Sequence, residues 1–355
     1  MSHISLPRFF LSFVVLLVAR LVVLLKVSQE QEIIIGSNYG LRPDPNAVFM
    51  VNYYLKKDTK VWTVGALGKQ FPETALTRGS LKSALTFLNV GIGMYTHSAS
   101  DLVPGAHKLS WLKRIFGFPR LIFLQHGVIG LKNNLANGKT ISSYINSIEP
   151  TFDKMVVSSK NEENLIKKIG VPSDKIEVTG LPRFDGLSQQ KSKTEITRVV
   201  IFFTWQHSEI LLSKLKEVSS AIDSSVLDKS KYSFHYCLHD MQLAEDNIFI
   251  QDIGGLYMDS NNLSTLINCC DLLITDDSST AWDVFYRSKE VIFYKGATDW
   301  LRRDSFLLER RANTETDLII KLGKFHKNQK LGKSVEFTKY NDKNHCKRVA
   351  ALANE

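Results

Sequence analysis

Histidines, serines and threonines recur in this sequence where short apolar runs end, and these are residue types that move protons and grip anions. His126 stands in Gln125-His126-Gly127-Val128, directly after the apolar run Leu121–Leu124. A histidine there is well placed to accept a proton as a general base, and Gly127 beside it lets a substrate approach the backbone. The plainer alternative is a histidine that caps a loop. Thr179-Gly180-Leu181-Pro182-Arg183-Phe184-Asp185 follows Ile176–Val178, and it either aims Arg183 at an anionic substrate or only stops a strand. Thr204-Trp205-Gln206-His207 follows Val199–Phe203, and His239-Asp240 follows Phe234–Leu238. Either histidine could donate to a phosphate or be an ordinary loop residue, and His239 is favoured by its place at a strand end.

The strongest constellation is Leu272-Leu273-Ile274-Thr275-Asp276-Asp277-Ser278-Ser279-Thr280-Ala281-Trp282-Asp283. An apolar strand runs into paired hydroxyls that open a helix, so backbone N–H groups and the Oγ atoms of Ser278 and Ser279 converge as an anion site. Simple N-capping would use one hydroxyl and leave the other redundant. Asp276 and Asp277 do not read as a metal pair, because adjacent side chains on a strand point to opposite faces. His97 follows Ile92–Tyr95 without a ligand partner at metal spacing. Gly138-Lys139-Thr140 imitates the end of a phosphate loop, but Asn133 stands where the first glycine belongs. No metal and no cofactor is expected.

The elements that must carry these residues alternate in a βα rhythm. Ile33–Ile35, Val61–Val64, Ile92–Tyr95, Leu121–Leu124, Met155–Val157 and Ile176–Val178 read as strands, with helices over Ala47–Leu55, Leu81–Leu88 and Glu162–Ile169. The polar stretch Gly186–Thr194 has a linker's composition, after which the rhythm restarts. Strands are expected at Val199–Phe203, Phe234–Leu238, Ile248–Ile250, Leu272–Thr275 and Val291–Tyr294, and helices at Ile210–Val218, Leu263–Cys269 and Thr280–Tyr286. The pattern implies an α/β protein of two doubly wound domains facing a crevice, with ligands at the carboxyl ends of the strands. The expected boundaries are residues 1–30 for an N-terminal apolar helix, 31–186 and 187–310 for the two domains, and 311–355 for a basic helical segment.

The chain of 355 residues is 44% hydrophobic and 23% charged, which excludes a disordered or collagenous polymer and permits two cores. Lys and Arg number 45 against 36 Asp and Glu, and Arg302–Arg348 holds 13 basic residues against 6 acidic ones. That segment reads as a solvated lysine-rich surface or as a face for polyanions. Without zinc-finger spacing or an aromatic RNA-binding signature, an anionic membrane ranks ahead of nucleic acid, which is not expected as a partner. Cys237, Cys269, Cys270 and Cys346 form no C-x-x-C pair, in keeping with a reduced compartment. Phe9–Leu25 is apolar except for Ser12 and Arg20, and its 17 residues stand at the lower limit of a membrane span. Arg20 would cost about 2.5–3.5 kcal/mol at mid-membrane. No cleavage site follows the run, so three readings stay open: a monotopic helix, a short uncleaved anchor, or a helix buried in the protein. The expected location is the cytoplasmic face of the membrane, peripheral or monotopic.

In order along the chain, His126-Gly127, Thr179–Asp185, Thr204-Trp205, His239 after a strand, and Leu272–Tyr286 resemble the CDP-glycerol glycerophosphotransferase family. These enzymes prime and polymerise teichoic acids and related glycerol phosphate capsules. The resemblance covers roughly residues 33–300 and implies a GT-B fold, a cytidine nucleotide donor and a lipid-linked or polymeric acceptor. By the resemblance His126 is the catalytic base, while His239, Ser278 and Ser279 hold the donor pyrophosphate. Arg183 and Thr204 would join them at the donor, supported by Gly127, Asp276 and Asp283. Three positions depart from the family pattern: Asp240 replaces a proline, Asp277 a tyrosine and Gln206 an arginine. The leading expectation is transfer of glycerol phosphate from CDP-glycerol to an acceptor hydroxyl with release of CMP. The alternatives are a CDP-ribitol donor, a GT-B glycosyltransferase using a nucleotide sugar, and a catalytically silent membrane assembly protein.

Overall fold

Short, β-branched apolar runs separated by helix-forming stretches can be buried on both faces only as a parallel sheet with helices over it. The computed structural model of the chain has two such sheets. It describes residues 6–23, 29–108, 113–134, 138–187, 195–238, 256–258, 263–297, 299–332 and 339–354.

The first compact unit comprises Met1–Val128, Asn134–Gly186 and Thr338–Glu355. Its strands are β1 (Gln29–Gly36), β2 (Val61–Val64), β3 (Ala75–Leu76), β4 (Val90–Tyr95), β5 (Arg120–Phe123), β6 (Lys154–Val157) and β7 (Ile176–Val178). They lie in the order β3-β2-β1-β4-β5-β6-β7 and pair in parallel throughout. Ile34 of the central β1 faces Trp62 on one side and Gly93 on the other, and Ile33, Ile34 and Ile35 are buried. The strand order reverses between β1 and β4, so their carboxyl ends mark the natural ligand position of this sheet.

The second unit comprises Ile129–Asn133 and Leu187–Phe337. Its strands are β8 (Thr197–Phe202), β9 (Tyr232–Cys237), β10 (Leu256–Met258), β11 (Leu272–Thr275), β12 (Glu290–Tyr294) and β13 (Arg311–Ala312). The order β10-β9-β8-β11-β12-β13 places the switch point between β8 and β11. Val199 and Ile201 of β8, Leu211, Leu215 and Val218 of the helix Ser208–Ser224, and Leu318 and Leu322 of the helix Glu315–His326 share one core.

Several expectations change. The strand expected at Ile248–Ile250 and most of the linker fall outside the described residues. Residues 311–355 do not form one basic segment: Arg311–Ala312 and the helix Glu315–His326 belong to the second unit, while the helix His345–Ala351 belongs to the first. Asp185 caps the latter helix, accepting the backbone N–H of His345 at 2.8 Å and of Cys346 at 2.9 Å. Gly180, at φ +77°, makes room for this docking, since a Cβ there would lie 1.9 Å from the His345 ring.

The basic C-terminal face is also smaller than the charge count suggests. Arg302 and Arg310 are buried, Arg311 lies over the Trp300 ring and Arg348 over the Tyr340 ring. The N-terminal apolar run forms the helix Leu6–Val23, but no helix among the described residues is long and apolar enough to cross a membrane. Nor is it free-standing, because it packs on the helices Leu81–Asn89 and Lys113–Phe116, with Leu16 and Ala19 fully buried. The Arg20 guanidinium lies against Gly117, where a Cβ would come within 2.7 Å of it.

Candidate active site

The loop after β5 is shaped by a strained residue. Gln125 adopts φ +63°, a left-handed conformation that a non-glycine residue holds only when its surroundings enforce it. Its buried side chain donates to the Val156 carbonyl, and its own carbonyl accepts Asn46 Nδ2 at 3.0 Å. The turn presents His126 outward, with its side chain 54% exposed.

Asp44 orients that imidazole. It caps the helix Pro45–Leu55, with Oδ1 accepting the Asn46 N–H at 2.9 Å. Its other oxygen, Oδ2, lies 2.6 Å from His126 Nδ1, and the Asp44 side chain is 1% exposed. Burial by itself pushes the Asp44 carboxyl up. The hydrogen bond and charge of His126, with His97 and Arg183 beyond it, outweigh burial and hold the carboxyl below its ordinary range. An ionised carboxylate only accepts, so Nδ1 carries the ring proton and Nε2 is left as the basic nitrogen. Arg183 completes the loop: Nη1 donates to the His126 carbonyl at 2.7 Å, and its backbone N–H reaches Asn46 Oδ1 at 3.1 Å.

A second buried carboxylate fixes the neighbouring loops. Asp101 accepts the backbone N–H of Tyr39 at 2.8 Å, of Thr96 at 3.0 Å and of His97 at 2.9 Å. Burial raises its carboxyl to about 6, against the pull of those three bonds. Gly36 allows this approach, because a Cβ there would lie 2.5 Å from the Asp101 carbonyl oxygen. His97 is thereby held with its ring centroid 4.7 Å from that of His126. Burial, then the neighbouring His126, lowers His97 to about 3, so it is a neutral ring at physiological pH.

One nitrogen of each histidine and a carboxylate oxygen of Asp44 lie within 4.8 Å of one another. The sequence spacing gave His97 no ligand partner, and the fold supplies two.

In the second unit, Asp276 bridges the switch-point strands. Its carboxylate accepts the Thr204 N–H and the Thr204 hydroxyl, each at 3.0 Å, with Lys214 Nζ at 3.6 Å. Burial raises the Asp276 carboxyl, opposed chiefly by Lys214. Both donors of Thr204 are therefore taken by Asp276. Asp277 turns away from its neighbour, accepting the Ala297 N–H and the Trp300 indole N–H. Ser278 is buried, and its Oγ accepts the Thr280 N–H at 3.2 Å, which leaves the hydroxyl hydrogen to point elsewhere. Ser279, at φ −63° and ψ −14°, precedes the helix Thr280–Tyr286 and makes no side-chain cap. Asp283 lies in the first turn of that helix.

The structure thus places His126, Gly127 and Arg183 in the first unit and Thr204, Asp276, Ser278, Ser279 and Asp283 in the second, and it joins Arg183 to the His126 loop and Thr204 to Asp276. Arg183 was expected at the donor pyrophosphate, yet its guanidinium holds the His126 loop. His239 lies outside the described residues. Sequence reading missed Asp44, Asp101 and the role of His97. The signal for Asp44 was there in Asp44-Pro45, a cap followed by proline at the first helical position after a strand-end loop.

The family model for CDP-glycerol:poly(glycerophosphate) glycerophosphotransferase matches residues 91–353. The chain belongs to this family. The minor teichoic acid biosynthesis protein GgaB of Bacillus subtilis (strain 168) is 23% identical over 269 residues, covering 68% of this chain. The chain spans 28% of that relative's length. Among solved structures, the wall teichoic acid polymerase TagF is similar with a TM-score of 0.67 at 14% identity, over 100% of this chain and 98% of that one. S. aureus MnaA in complex with UDP is similar at 0.64 with 11% identity, over 91% and 95%. At these identities the structural likeness speaks for the fold, and the glycerophosphotransferase family assignment rests on the sequence match.

Proposed function

We propose that the chain transfers glycerol phosphate from CDP-glycerol to a hydroxyl of a lipid-linked or polymeric acceptor, releasing CMP, in the synthesis of a teichoic-acid-like or capsular polymer. The observation that carries this reading is the 2.6 Å pairing of exposed His126 with buried Asp44 in a chain of the glycerophosphotransferase family. In the step, Nε2 of His126 takes the acceptor's hydroxyl proton as the oxygen attacks the phosphorus that bears glycerol. The bond from that phosphorus to the bridging oxygen breaks, and CMP leaves with the electron pair.

Asp44 holds the ring in the productive tautomer and stabilises the imidazolium that forms. Ser278, Ser279 and the backbone that follows them, with His239, meet the charge of the donor pyrophosphate. Arg183 serves the base loop and Thr204 serves Asp276, and the donor contacts expected of both remain part of the proposal. The reaction as proposed routes no step through a metal or cofactor. We place the protein on the cytoplasmic face of the membrane. The support is the exposed stripe Val14, Leu17, Val18 and Leu21, whose spacing follows one side of the helix Leu6–Val23.

The test is a panel of radiolabelled CDP-glycerol, CDP-ribitol and nucleotide sugars offered to the full chain with acceptor-bearing membranes. Label transfer from CDP-glycerol with stoichiometric CMP is expected. Turnover of a nucleotide sugar alone would replace the proposal with a glycosyltransferase, and turnover of no donor would favour an assembly role.

A further inference from the structure

Asp44, His97 and His126 reach one point from three loops of the same sheet, after β1, β4 and β5. Two imidazoles and a carboxylate are the donor set of many zinc, nickel and cobalt sites, whereas magnesium and calcium favour oxygen ligands alone. The groups around the three donors are fixed in the way metal ligands usually are. Thr96 Oγ1 engages His97 Nδ1 at 3.0 Å, the Asn46 N–H holds Asp44 Oδ1, and Asp101 pins the His97 backbone. His126, more than half exposed, gives an ion a path from solvent. Three protein ligands also leave a fourth tetrahedral position for water.

We propose that Asp44, His97 and His126 form a binding site for a divalent ion of the zinc class, and that its occupancy switches the base off. The ion would take the place of the proton between Asp44 Oδ2 and His126 Nδ1. That gap must open from 2.6 Å to about 3.3 Å for both atoms to reach one tetrahedral zinc, a movement the exposed His126 ring can make. With Nδ1 on the metal, the ring proton moves to Nε2. The ring neither gains nor loses a proton, but Nε2 becomes a donor and can no longer accept the acceptor's proton. The binding half of this inference stands on geometry alone. The inhibition half rests on the proposed transfer reaction.

The experiment titrates the untagged full chain with Co2+ and follows its visible d–d absorption, with Zn2+ and Mg2+ as competitors. The expected result is a saturable tetrahedral band, abolished by Zn2+ and untouched by Mg2+, with affinity reduced about tenfold or more in both His97→Gln and His126→Ala. The exposed His126→Ala guards against misfolding of the buried variant, and circular dichroism checks both. Absence of a saturable band in the wild type, or a band unchanged within about twofold in both variants, would overturn the site. If the chain turns over CDP-glycerol, micromolar Zn2+ should stop CMP release and a chelator should restore it. Zn2+-insensitive turnover despite Co2+ binding would refute the inhibition alone. A Co2+ site in a chain that turns over no CDP-glycerol would instead refute the proposed function and leave the site standing.

Discussion

Replacing Asp44 by asparagine separates its electrostatic role from its structural one. Asparagine is as good a helix cap as aspartate, so the start of Pro45–Leu55 should survive and the unfolding midpoint should change little. What disappears is the negative charge 2.6 Å from His126 Nδ1. A hydrogen bond to a charged partner contributes about 1.5–3 kcal/mol net, and opposite charges about 4 Å apart attract by about 4 kcal/mol at an effective dielectric near 20. A loss of about 2–4 kcal/mol of imidazolium stabilisation corresponds to a fall of about 30- to 1000-fold in kcat. The asparagine amide can also donate to Nδ1, which favours the tautomer with the proton on Nε2 and adds to the loss. The assay is the initial rate of CMP release at saturating CDP-glycerol, with the donor Kd measured in parallel by calorimetry. The Kd should stay near wild type. A kcat within about threefold of wild type would refute the reasoning, because the dyad would then contribute only packing.

Further outcomes are expected elsewhere in the chain. Ser278→Ala combined with Ser279→Ala should weaken CDP-glycerol binding while leaving the fold intact, and an unchanged calorimetric Kd would mean that the pair only shapes the start of its helix. Asp101 has a carboxyl raised to about 6, against about 3.9 in an unfolded chain. The native state therefore binds this proton more tightly, and the group's contribution to stability is largest below about pH 4 and falls by about 3 kcal/mol as pH rises through 6. In urea unfolding the stability gap between wild type and Asp101→Asn should accordingly narrow over that window, and a widening gap would contradict the assignment. Removing residues 1–27 should abolish salt-resistant binding to anionic vesicles and leave a weaker, salt-sensitive attachment through exposed lysines of the C-terminal segments. Undiminished salt-resistant binding would show that the helix Leu6–Val23 is not the anchor.

The strands were legible in the sequence because parallel strands buried on both faces read as unbroken apolar runs; Val61–Val64, Ile176–Val178 and Leu272–Thr275 match to the residue. Two-residue edge strands such as Ala75–Leu76 and Arg311–Ala312 leave no periodic trace and were missed. His126 could be seen from its place after a strand. Asp44 could be read as a helix cap before Pro45 but not as the partner of His126, since it lies 82 positions away and only the adjacency of loops at the carboxyl edge of one sheet joins the two. The same holds for Asp101, whose three backbone partners come from two different loops. Asp277 reads as a carboxylate added to an anion site until Trp300 and Ala297 are seen to bind it. Counting charges overstated the C-terminal basic face because a linear count cannot tell a solvated arginine from Arg302, which lies 4.9 Å above the Trp282 ring.

The proposed role of His126 is removal of the acceptor's proton during transfer from CDP-glycerol. Its most direct test is single-turnover CMP release from pre-bound CDP-glycerol on addition of acceptor, comparing the wild type with His126→Ala. The variant should bind the donor normally and release CMP about 10²- to 10⁴-fold more slowly. Release at near wild-type rate would contradict the account.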